Sequence, residues 1–178
     1  MKHIHLPLQE EEMKDLHAGD AVLLTGTVYT ARDAAHKKLC EMLQQGETLP
    51  FDLRGQTIFY VGPTPAREGQ VIGSAGPTTS GRMDPYVPIL ASYGLKGMIG
   101  KGRRNASVKE AVKQYGMLYF VCAGGAGALL SHHIVSREMV AFPELLAEAV
   151  TKLEVVDFPC FVGLDQDAND IYDMEEES

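Results

Sequence analysis

The chain has 178 residues, of which 45% are hydrophobic and 22% charged, the balance of an ordinary globular protein with one sizeable buried core. No apolar run approaches the about 18 residues needed to span a bilayer, and the opening MKHIHLPLQEEEMKD lacks the apolar core of a signal peptide, so a cytoplasmic protein off the membrane is expected. The formal net charge of −8 argues against a general nucleic-acid binder.

In chain order, residues 1–19 are polar and acidic and read as an N-terminal arm or short strand of a single domain spanning 1–178. Ala21–Tyr29 (AVLLTGTVY) is apolar and β-branched, a buried strand. Ala31–Gln45 follows with Ala34, Ala35, Leu39, Met42 and Leu43 at helical spacing, and Gly46 closes it. Thr57–Gly62 (TIFYVG) is a strand, and Val71–Gly76 is a short apolar stretch before a turn-rich segment. Asp84-Pro85 opens a helix running to about Tyr93. Gly97–Gly100 is a short buried strand, Ser107–Tyr115 a helix ended by Gly116, and Leu118–Ala123 a further strand. Glu144–Val156 is helical in its first half and a strand by Leu153. An acidic tail occupies 174–178. Alternating β and α elements with short connections indicate a layered α/β domain, with parallel and mixed sheets both open.

The charge is segregated. Between Gly62 and Tyr115 there are eight basic side chains against three acidic ones, and elsewhere eight against 21. Lys109 and Lys113, at helical spacing, suit a solvated helix face. Arg82 and Lys101, set among glycines, suggest a local site for a small anion.

The densest chemical signal is Gly76–Asp84, GPTTSGRMD. Three hydroxyl residues (Thr78, Thr79, Ser80) and Gly81-Arg82 stand immediately before a proline-started helix. Short hydroxyl donors, backbone N–H groups and a guanidinium fork form an anion pocket suited to a carboxylate or phosphate. Gly97–Gly102 (GMIGKG) allows close backbone approach and offers the Lys101 charge. It misses the P-loop pattern, because Gly94 lies six residues before Gly100 and Gly102 stands where Ser or Thr should hold magnesium. Gly124–Leu130 (GGAGALL) resembles a dinucleotide turn only weakly, and tight backbone packing explains it as well. Asp165, Asp167, Asn169 and Glu176 echo a calcium loop, but Asp170 occupies the glycine position. The pairs His132-His133 and His3/His5 lack a third ligand nearby. The cysteines Cys40, Cys122 and Cys160 are scattered, so neither a disulfide framework nor a metal site of this chain alone is expected.

Together with TGTVYTARDAA (25–35), YVGPTP (60–65), GMIGKG (97–102) and VVDFP (155–159), the GPTTSGRMD element resembles the β subunit of the iron–sulfur-dependent hydro-lyases, the class I fumarases and L-tartrate dehydratases. The resemblance runs over roughly residues 5–173. It implies an α/β fold of the swivelling three-layer β/β/α type with a mixed sheet. It also implies a 4Fe–4S cluster bound by a partner α subunit and not by this chain, a small dicarboxylate substrate and a higher hetero-oligomer. Carried over residue by residue, it makes Thr78 the general base and gives Arg82, Lys101 and Arg32 to substrate binding, with Thr79 and Gly81 beside them. Ser80 departs from the small apolar residue of many members. Fumarate hydration is the leading expectation. Tartrate dehydration and a non-catalytic small-anion-binding module remain open.

Overall fold

The computed structural model describes residues 1–122 and 127–176. Its strands run β1 (Lys2–His5), β2 (Ala21–Thr30), β3 (Thr57–Phe59), β4 (Gly97–Gly100), β5 (Leu118–Val121), β6 (Ile134–Ala141) and β7 (Val150–Leu164). The α-helices are α1 (Glu10–Lys14), α2 (Asp33–Gln44), α3 (Val87–Ser92), α4 (Ala106–Tyr115), α5 (Gly127–Leu130) and α6 (Ile171–Glu176). Sheet order is β1-β2-β3-β4-β5-β7-β6, and β2 pairs with β7 as well. Neighbours from β1 to β5 are parallel, while β7 runs antiparallel to β2, β5 and β6. The sheet is therefore mixed, and β2, β3, β4, β5 and β7 close into a ring.

Alternation along the strands builds two cores, because successive side chains leave opposite faces of a sheet. Phe59, Ile99, Leu118 and Phe120 point to the first core, shared with Leu24 and Val28 of β2 and Leu153, Val155, Phe158 and Val162 of β7. Ile58, Tyr60, Met98, Tyr119 and Val121 point the other way, onto Leu39 of α2, Leu90 of α3, and Val108 and Val112 of α4. Strands face strands on one side and helices on the other, a three-layer β/β/α arrangement. The α/β class expected from alternating elements, and the mixed sheet implied by the resemblance, are what the structure has.

The helices follow from local chemistry. α2 buries Ala35, His36, Leu39 and Cys40 on one stripe. In α4 the Asn105 side chain accepts the Val108 N–H at 3.1 Å, and Gly116 at φ 65° takes the left-handed position that ends it.

Three segments differ from the sequence expectation. Ser80–Tyr86 is a 3-10 turn, and α3 starts only at Val87. The Ser80 and Asp84 side chains are bonded to the backbone of residues 101–105, which holds this stretch in tighter turns than an α-helix. Pro143–Glu148 is likewise 3-10, with Leu146 at φ 55°, and the strand begins at Val150 because residues 150–155 pair with β6 and 152–155 with β2 as well. Residues 134–141, given no element from the sequence, form β6; their exposed middle carries no periodic apolar signal. At the N-terminus, β1 lies parallel to β2, and Ile4, Leu6, Leu8, Met13 and Leu16 are all buried. Among the described residues no helix is long and apolar enough to cross a membrane.

Candidate active site

β2, β3 and β4 are parallel, so their C-terminal ends share one edge of the ring, the usual place for a ligand in such sheets. Arg32 lies two residues past β2, Gly62 three past β3, and Lys101 directly after β4. The segment 78–80 is laid between the ends of β3 and β4. The Thr78 N–H donates to the Tyr60 carbonyl at 2.7 Å, Thr79 bridges Lys101 as an isolated parallel pair, and the Ser80 N–H donates to the Lys101 carbonyl at 2.9 Å. Gly62 gives Arg32 room, since a Cβ there would stand 2.8 Å from Arg32 Nη1. Arg82 Nη1 is 3.5 Å from Asp33 Oδ2, and both side chains are about half exposed. Gly81 is exposed, with open space where a side chain would be.

The fold therefore gathers Arg32, Thr78, Thr79, Gly81, Arg82 and Lys101 from three chain segments onto one edge. Lys101 makes no ion pair among the described residues. Arg32 Nε and Asp33 Oδ1 are buried without a hydrogen-bond partner, unspent polar capacity at the mouth of this edge. A cleft of about 440 Å³ lined by Leu43, Thr48, Phe51 and Tyr93 holds none of the candidate residues.

Beneath the edge lies a buried polar floor that the sequence did not disclose. Arg104, with its side chain fully buried, donates from Nε to Asp84 Oδ1 at 2.6 Å and from Nη2 to the Tyr60 hydroxyl at 3.2 Å. The Asn105 N–H takes the other Asp84 oxygen at 3.0 Å. The guanidinium also lies over the rings of Tyr60 and Tyr119, 5.2 and 4.7 Å from their centroids. This pairing ties the 3-10 turn that carries Arg82 to the segment that follows Lys101. Asp33, the partner of Arg82, was equally hidden; its only sequence signal was its place beside Arg32.

Burial sets the protonation of this floor. His36, wholly buried behind Arg32 with Nδ1 2.8 Å from the Arg32 carbonyl, has its pKa lowered to about 4 by desolvation and stays neutral. Burial likewise pushes the Tyr60 and Tyr119 phenols above their ordinary value, so both keep their protons.

The residues present do not fit an iron–sulfur cluster. Burial pushes the Cys40 thiol up to about 11. It raises that of Cys160 too, whose sulfur rests 3.6 Å from that of Cys122. Cluster ligands must be thiolates, and Cys40 and Cys160 are held as thiols. No group of three His, Cys, Asp or Glu side chains among the described residues is placed to hold a metal. In the acidic loop, Asp165 spends its carboxylate on the N–H groups of Ala18, Asp167 and Asn169. The glycine-rich turn at Gly124 and Gly125 lies outside the described residues.

A sequence profile described as Fumarase C-terminus matches residues 1–175. Fumarate hydratase 2 of Leishmania major is 42% identical over 164 residues, which cover 91% of this chain and 29% of that protein. The aerobic class I fumarate hydratase of Salmonella typhimurium is 38% identical over 98% of this chain and 31% of its own. A protein of Methanocaldococcus jannaschii named putative L(+)-tartrate dehydratase subunit beta is 37% identical over 97% of this chain and 92% of its own. The chain thus spans about a third of the two fumarate hydratases and nearly all of the third relative. With GPTTSGRMD laid between β3 and β4 and the match running almost end to end, the chain belongs to the fumarase C-terminus family.

Proposed function

We propose that this chain is the β subunit of a two-subunit hydro-lyase that reversibly hydrates a C4 dicarboxylate, with fumarate to L-malate as the leading reaction. The observation that carries this reading is the convergence of Arg32, Thr78, Arg82 and Lys101 on one strand edge in a member of this family. Two carboxylates need at least two cationic anchors, and this edge offers three. In this reading Arg82 and Arg32 grip carboxylate groups, Lys101 stabilises the charge that builds on the carboxylate beside the reacting carbon, and Thr79 and Gly81 line the substrate. Thr78 moves the carbon-bound proton. A threonine hydroxyl is a poor base at its ordinary pKa, so the clustered cations must favour its alkoxide.

The 4Fe–4S cluster implied by the resemblance has no ligand set among the described residues and belongs, in this reading, to an α subunit in a cytoplasmic hetero-oligomer. L-tartrate dehydration is the second reading. It is favoured by the relative named a tartrate dehydratase β subunit, which this chain covers to 92% of its length.

The deciding experiment is anaerobic co-expression with an α-type subunit, followed by hydration and dehydration assays on fumarate, mesaconate and tartrate. Turnover by the complex, and none by the β chain alone, is expected. A cluster-loaded complex inert towards all three would overturn the hydro-lyase reading and leave a small-anion-binding module.

A further inference from the structure

Lys101 lies where the β4 ladder ends, yet its backbone is held more completely than a loop usually is. Four polar groups belong to the main chain of Lys101 and Gly102, and each has a specific partner. The Lys101 N–H donates to Ser80 Oγ at 3.1 Å, and the Lys101 carbonyl accepts the Ser80 N–H at 2.9 Å. The Gly102 N–H donates to the Tyr172 hydroxyl at 2.8 Å, and the Gly102 carbonyl accepts the Tyr119 hydroxyl at 2.8 Å.

The proton order follows from the partners. A carbonyl can only accept, so the single hydroxyl proton of Tyr119 goes to Gly102. In its 2.8 Å contact with Ser80 Oγ, Tyr119 must then accept, and Ser80 donates. The result is one directed chain, from the Lys101 N–H through Ser80 and Tyr119 to the Gly102 carbonyl, which starts and ends on adjacent residues. Ser80 is wholly buried and Tyr119 nearly so. Gly100 lets them meet, because a Cβ there would run into Ser80 Oγ and lie 2.8 Å from the Tyr60 ring. Outside this frame, the Lys101 ammonium has no ion-pair partner among the described residues.

We propose that Tyr119, acting through Ser80, is a positioning residue for Lys101: the hydroxyl chain fixes the backbone from which the ammonium meets an anionic substrate. The inference rests on the reading of Lys101 as a dicarboxylate contact. It adds a residue in the floor of the sheet, 18 positions further along the chain, that touches no substrate.

The test is Tyr119→Phe, which removes one oxygen and keeps the ring against Arg104, compared with Ser80→Ala and the double variant. In the full chain alone, amide hydrogen exchange at Lys101 should quicken at least about tenfold, with helix α4 unchanged. In the complex with its α-type partner, kcat for the dicarboxylate should fall about tenfold while KM stays within about threefold, because Lys101 acts on charge that builds in the transition state. Because the two hydroxyls act as one unit, the double variant should be no worse than the worse single variant. Unchanged Lys101 exchange, a uniform rise in exchange across the chain with kcat unchanged, or additive effects would each overturn the proposal. Local quickening at Lys101 in a complex that turns over no dicarboxylate would support the positioning role while overturning the hydro-lyase reading.

Discussion

Thr78 and His36 illustrate two ways a single residue can be read. Replacing Thr78 by Ala removes a hydroxyl and leaves the backbone bond to Tyr60 in place. If Thr78 moves the proton, kcat should fall about a hundredfold or more with KM within about threefold, measured by steady-state assay of the complex. His36 makes a prediction about stability. Its folded pKa of about 4 lies below the ordinary 6.5, so between those values the unfolded chain binds a proton that the folded chain refuses. The contribution is fully present above pH 6.5 and is lost as pH falls towards 4, with a slope approaching about 1.4 kcal/mol per pH unit. Urea titrations across this window should show that slope for the parent and a flatter line for His36→Phe. Arg82 and Lys101 were legible in the sequence because their glycine-rich surroundings set them apart from helix-face lysines. Asp33, Asp84 and Arg104 were not, since what marks them is a partner that only the fold brings near. Arg104 looks like one more surface cation in GRRN, and its burial depends on Asp84, twenty residues earlier.

Elements were legible where one face alone is buried. α2 carries its apolar stripe openly, and Gly116 marks the end of α4 as the sequence suggests, while the Asn105 cap is seen only in the structure. Asn105→Ala should cost about 1 kcal/mol in chemical denaturation, because the Val108 N–H loses its acceptor at the first turn. Residues 84–86 read as the start of an α-helix, because Asp84-Pro85 is a good helix start in isolation, but they belong to the 3-10 turn at 80–86. Its tighter winding is imposed by the partners of Ser80 and Asp84, which lie in residues 101–105. β6 stayed hidden for a different reason. Its middle faces outward, and pairing with β7 supplies what periodicity does not.

For the whole molecule, the ring depends on both ends of the chain. Ile4, Leu6, Leu8, Met13 and Leu16 are all buried, and at about 2 kcal/mol each they contribute roughly 10 kcal/mol, as much as a typical domain's entire stability. Deleting residues 1–16 should therefore abolish the folded state, seen as loss of near-ultraviolet circular dichroism and of a cooperative thermal transition. The α/β class was legible from alternating elements. Closure of the sheet was not, because it rests on β2 pairing along its length with a strand more than a hundred residues away. That pairing also sets a timetable. Residues 21–29 find their partners in 152–161, so β2 must wait until residues 152–161 have left the ribosome. Arg32, Thr78, Arg82 and Lys101 emerge before those partners, but the edge that brings them together is completed only after them. An unfinished chain thus displays the cations without the pocket.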